Sequence, residues 1–177
     1  AIDAWEKMND VVARAADDAY YQKLDSLLDI GNFIDYMLIN QYAGNTDWNH
    51  HNWYAIRRHN NDSTASEGFK FLCWDSELIL MNVNENVASG AVSRDKEGAV
   101  TAIYRNLLQN PQFAKRYVRR AKEVLANDGL LGEKSVVDVW DSLYYTIDKA
   151  LYDEAARWGD YRRDVHRYSS AGKLYTV

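Results

Sequence analysis

The chain has 177 residues, 47% hydrophobic, 27% charged and 13% aromatic, with a formal net charge of -5 and a pI near 5.4. That length suits one packed domain, and the aromatic richness excludes a disordered chain. The acidic balance argues against nucleic-acid binding, which draws its affinity from Lys and Arg on phosphates. Basic residues at Lys115 to Lys122 and Arg157 to Arg167 alternate with acids and aromatics at helical spacing, the pattern of solvated helix faces. A single cysteine, Cys73, excludes an intrachain disulfide, and no apolar run reaches the roughly 18 residues of a membrane span. The chain starts at Ala1 without a signal-like core, which reads as a piece of a longer protein.

In chain order, apolar spacing predicts a helix over Ile2 to Ala15 and a shorter one over Asp18 to Leu28. Gly31 reads as a helix stop and Asn32 as the cap of a strongly apolar helix running to Tyr42. A polar stretch follows, from Asn45 to Asn52. Trp53 to Arg57 and Phe69 to Trp74 read as two strands of a hairpin, joined by the polar connection His59 to Gly68. Leu78 to Ala99 reads as irregular and Val100 to Gln109 as a helix. Asn110 caps the next helix, with Pro111 at its first position, and that helix runs to about Ala126. Glu133 to Arg157 reads as a long helix ending at Gly159, followed by an extended or frayed tail from Ser169. The fold class expected is mainly α with a small β-hairpin.

The chemistry concentrates between Asn45 and Glu77. A hairpin brings its two ends together, so Asn52 and Asp75 are expected to be neighbours. Asp47 and Asn52 stand five apart, the D-x-x-x-x-N spacing of a protein-kinase catalytic loop. There an aspartate accepts the proton of an attacking hydroxyl, an amide oxygen ligates Mg²⁺, and a second aspartate bridges metal to phosphate. The bland reading stands beside it. Asn45, Thr46 and Asp47 are also turn and cap residues, and Asp75 is placed to pair with Arg57 or Arg58.

Other chemistries are weaker. His50, His51 and His59 hint at zinc, but no third and fourth ligand follow at helical or hairpin spacing, so loop polarity is the expected reading. His166 reads as a surface residue. No G-x-S-x-G elbow is present, and Cys73, mid-strand, reads as a buried inert thiol. Asp75 and Glu77 lie too close on one strand to admit a sugar between them. Trp48, Trp53 and Trp74 read as core residues anchoring the loop rather than a stacking surface.

The segment Asn32 to Trp48, NFIDYMLINQYAGNTDW, resembles the CotH kinase family. Trp74-Asp75-Ser76-Glu77, Asn110-Pro111-Gln112-Phe113 and Arg157-Trp158-Gly159 extend the resemblance, which runs from about Trp5 to His166. It implies the C-lobe of an atypical protein-kinase-like fold and ATP- and Mg²⁺- (or Mn²⁺-) dependent phosphoryl transfer to a protein substrate. By the same resemblance Asp47 is the catalytic aspartate, Asn52 and Asp75 are the metal and nucleotide ligands, and Glu77 is a further metal ligand. Ser76 and Glu77 follow Asp75 where ordinary kinases have Phe and Gly. No Gly-rich loop or V-A-I-K-like strand occurs, so residues 1–177 read as the C-terminal part of the domain, with the N-lobe elsewhere and ATP binding weak or absent in the piece alone. The family points to a bacterial spore coat or cell surface. The rival reading is a catalytically silent coat or surface module that keeps the fold.

Overall fold

The computed structural model describes residues 2–58, 67–89 and 100–164. It divides into two compact units, residues 1–124 and 125–177. The chain is mainly helical, with one small antiparallel sheet: α1 (Ile2–Val12), α2 (Asp18–Lys23), α3 (Ile30–Tyr42), β1 (Trp53–Ile56), β2 (Lys70–Cys73), α4 (Val100–Leu108), α5 (Pro111–Val124) and α6 (Glu133–Asp164). Short 3₁₀ turns lie at Leu24–Ser26 and Val87–Ser89. Among the described residues, no helix is long and apolar enough to cross a membrane.

Two expected boundaries move for tertiary reasons. The cap of α3 is Asp29, whose Oδ1 accepts from the Asn32 backbone N–H at 2.9 Å, and Gly31 lies inside the helix. Asn32 is thereby released for another task. Its Oδ1 accepts from Phe71 N at 2.6 Å and its Nδ2 donates to Phe71 O at 3.2 Å. One side-chain amide thus pairs with β2 as a neighbouring strand would.

The chain entering α3 reinforces this seam. Asp29 N donates to Phe69 O, and Phe69 N donates to Leu27 O, both at 2.9 Å. The approach is so close that a Cβ on Gly68 would stand 2.5 Å from the Leu28 carbonyl carbon, so only glycine fits.

The hairpin pairs Trp53 with Cys73 and Ile56 with Lys70. Its inward residues meet α1 and α3 in an aromatic cluster. Phe71 packs edge-on to Phe33 at 5.0 Å between ring centroids, and Trp5 lies 5.3 Å from Phe69 and 5.8 Å from Trp53. Phe33, Phe71, Trp48, Met8, Leu24, Leu28, Ile34 and Met37 are almost wholly buried. Cys73, expected in the interior, is exposed at the end of β2.

Asn110 caps α5 as the Asn-Pro pair predicts, accepting on Oδ1 from Gln112 N at 2.8 Å and from Phe113 N at 3.4 Å. Its Nδ2 donates to Ala15 O at 2.9 Å and to Asp18 Oδ1 at 3.0 Å, which joins the start of α5 to the turn after α1. On the outer side of α5, Arg120 forks onto Asp35 of α3 at 2.7 and 3.0 Å, so part of that basic face is paired. α1 ends at Val12, three residues early, where the chain turns through residues 13–16.

In the second unit, α6 runs through Gly159 to Asp164 rather than stopping at Gly159. A glycine inside a helix costs about 1 kcal/mol, too little to end one of this length. His59, His166 and the tail from Ser169 lie outside the described residues.

Candidate active site

The site is built on the C-terminal end of α3. Gly44, with φ +57°, takes the left-handed conformation that ends the helix, and Asn45 N donates back to Asn40 O at 3.0 Å. Two buried amides then fix the loop. Asn40 Nδ2 donates to Tyr36 O at 2.8 Å and to Cys73 Sγ at 3.5 Å. Asn45 Nδ2 donates to Asn40 Oδ1 at 2.9 Å, while its Oδ1 accepts from Asp47 N at 3.1 Å. A continuous polar chain thus runs from the end of β2 through α3 to the backbone of Asp47. Buried amides in such a chain are costly to break, because each deletion orphans a partner.

Trp48, 1% exposed, anchors the other side of Asp47 by packing edge-on to Tyr36 at 5.8 Å. Trp53 is half-buried against Trp5, but Trp74 is exposed and meets Tyr54 on the outer face of the hairpin.

Asp47 is partly exposed and receives three neighbours. His50 Nε2 stands 3.2 Å from its Oδ1, and His51 Nε2 stands 3.5 Å from its Oδ2. Asn52 Nδ2 donates to Asp47 Oδ2 at 3.3 Å and to the Asp75 backbone carbonyl at 3.4 Å. The buried Asn52 therefore ties the loop to the far end of the hairpin, and its Oδ1 takes part in neither bond. Asp75 itself is exposed, with φ +48°, a left-handed conformation that aspartate tolerates better than most residues. Its turn redirects the chain away from β2. The segment beyond returns to the loop, where Thr46 N donates to Leu78 O at 3.3 Å and Leu80 N to Ala43 O at 2.7 Å. Glu77, exposed, sits on this returning segment next to Leu78.

Asp47, Asn52 and the backbone of Asp75 are thus brought together as the hairpin geometry requires, and Glu77 precedes the Leu78 that returns to Thr46. Arg57, an expected partner of Asp75, donates its Nε to Glu67 O at 3.1 Å and stands over the Phe69 ring. Sequence reasoning missed the two histidines as members of the site. It sought their co-ligands at helical or hairpin spacing, whereas the tight turn after Asp47 folds positions three and four residues on back to its carboxylate.

No curated protein and no solved structure matches the chain. The family model described as CotH kinase protein matches residues 2–174, nearly the whole length. With that coverage, added to the NTDW loop and the Trp74-Asp75-Ser76-Glu77 strap at the site, the chain belongs to the CotH kinase family.

Proposed function

We propose that these residues serve an ATP- and divalent-metal-dependent phosphoryl transfer to a hydroxyl of a protein substrate, performed by the full-length protein. The observation that carries the reading is the double engagement of Asn52. One amide nitrogen holds both the Asp47 carboxylate and the Asp75 main chain, which gathers the residues such a reaction needs.

Asp47 is the proton acceptor in this reading. Its backbone is fixed by Asn45 and its flank by buried Trp48, so the carboxylate is held ready for an incoming hydroxyl. The donor chemistry also fits Mg²⁺ or Mn²⁺, since Asn52 Oδ1 and the carboxylates of Asp75 and Glu77 are hard oxygens. Asn52 and Asp75 would hold the ion, with Glu77 as a further ligand. A metal there supplies neutralisation of the phosphate charge.

In this proposal residues 1–177 play the part of a kinase C-lobe, and the nucleotide-covering lobe comes from other chain. In the same proposal the setting is the spore coat or cell surface that goes with the family name.

The test is incubation of the full-length protein with γ-labelled ATP and Mg²⁺ or Mn²⁺, beside Asp47→Ala and Asp75→Ala variants. Label on the protein or a partner should fall by about 10²–10⁴-fold in Asp47→Ala, the range lost with a general base. It should also be lost in Asp75→Ala. A folded parent that takes up no label with either metal would favour the silent structural module.

A further inference from the structure

We infer that Asp47, His50 and His51 form a binding site for a borderline transition-metal dication of the Zn²⁺ class, distinct in chemistry from the hard-oxygen set of Asn52, Asp75 and Glu77. Each of the three offers one ligand atom, and these atoms lie within 4.8 Å of one another.

The separations suit such an ion. Bonds of about 2.0–2.1 Å in a tetrahedron give ligand-to-ligand edges of about 3.3–3.4 Å. The Asp47 carboxylate spans both rings at about that spacing, with Oδ1 3.2 Å from His50 Nε2 and Oδ2 3.5 Å from His51 Nε2.

An independent observation concerns the setting of His50. Its Nδ1 stands 3.2 Å from Asn49 Oδ1, which leaves Nε2 as the nitrogen turned to Asp47. Asn49 is fully buried, so it holds the ring as an outer-shell carbonyl orients a metal-bound histidine. The two imidazoles lie edge to face with centroids 4.0 Å apart, so both rings stand on one side of the Asp47 carboxylate. Two imidazoles and one carboxylate select Zn²⁺, Co²⁺ or Ni²⁺ over Mg²⁺ or Ca²⁺, and three protein ligands leave a fourth position open. Metal here occupies the carboxylate assigned above as proton acceptor, so Zn²⁺ should inhibit the transfer. That corollary rests on the proposed reaction, whereas binding itself does not.

The experiment is a Co²⁺ titration of the whole chain, read by visible ligand-field absorption, without nucleotide or turnover. One equivalent should bind with the strong absorption of a tetrahedral site, Zn²⁺ should bleach it, and excess Mg²⁺ should not. His51→Gln and His50→Gln should each weaken binding at least tenfold, and Asn49→Ala by about tenfold, the loss typical of an outer-shell partner. Asp75→Asn should leave it unchanged. The His51 side chain is 53% exposed, so its replacement leaves the fold intact, which circular dichroism checks. Absence of the absorption, displacement by Mg²⁺, or an unaltered affinity in His51→Gln would each overturn the site. A site that binds Co²⁺ in a protein that never transfers phosphate would refute the reaction and leave the metal site standing.

Discussion

Cys73 carries two opposed influences. Desolvation at the end of β2 raises its thiol pKa, and the hydrogen bond from Asn40 Nδ2, which favours the thiolate, lowers it by less. The thiol therefore stays protonated to a higher pH than an unhindered cysteine although it is exposed. Alkylation by iodoacetamide should be slower than that of a free thiol near pH 8, and the rate should rise with a midpoint above that of the free thiol. A midpoint at or below it would refute the assignment. The nearness of Asp47, Asn52 and the Asp75 main chain was legible because it depends on a five-residue spacing and on a hairpin, both written locally. It left the Asn40–Asn45–Cys73 chain invisible, because that chain joins three side chains whose meeting depends on how α3 lies against β2. The same holds for the histidines, whose approach to Asp47 is set by the turn and not by any periodic pattern.

At the scale of elements, Asn110 shows what a buried cap contributes. It is fully buried and satisfies two N–H groups at the start of α5 while donating to Ala15 and Asp18. Losing a cap costs about 1 kcal/mol, and each buried partner left without a bond adds about 1–3 kcal/mol. Asn110→Ala should therefore lower stability by about 2–4 kcal/mol, seen as a lower urea midpoint with an unchanged slope. A loss under about 0.5 kcal/mol, the scale of an exposed surface change, would mean that the cap is not structural. The start of α5 was legible because Asn110 and Pro111 act on their own helix. The start of α3 differs from the expected Asn32 because an asparagine before an apolar run is as good a cap locally as Asp29. What decides between them is Phe71, 39 residues on, whose backbone claims the Asn32 amide. The long run of α6 exceeds its expected end for the opposite reason, since one glycine does not carry the weight of a stop.

The whole molecule divides its apolar content unequally. Among the described residues, every fully buried large side chain, from Met8 to Phe113, belongs to the first unit. In the second, Val137, Val139, Trp140, Leu143, Tyr145 and Ile147 of α6 are exposed. The fold class was legible, since a single proline and long apolar periods leave little but helices, with one aromatic-rich hairpin between them. The division was not, because aromatic and aliphatic residues on α6 look the same in sequence as those that build a core. Its physical consequence can be measured. About 120 residues can bury most of their apolar surface, and this unit has its own aromatic cluster joining α1, α3 and the hairpin. A chain ending at Val124 should therefore melt cooperatively by itself, with a near-ultraviolet dichroism signal from Trp5, Trp48 and Trp53 held in fixed surroundings. Phe71→Ala in that shortened chain removes a ring from the centre of the cluster and should cost about 3–5 kcal/mol. A broad, non-cooperative melt of the shortened chain would mean that its core does not suffice. If the shortened chain melts cooperatively and Phe71→Ala abolishes the transition, the core that positions Asp47, Asn52 and Asp75 is complete within the first 124 residues.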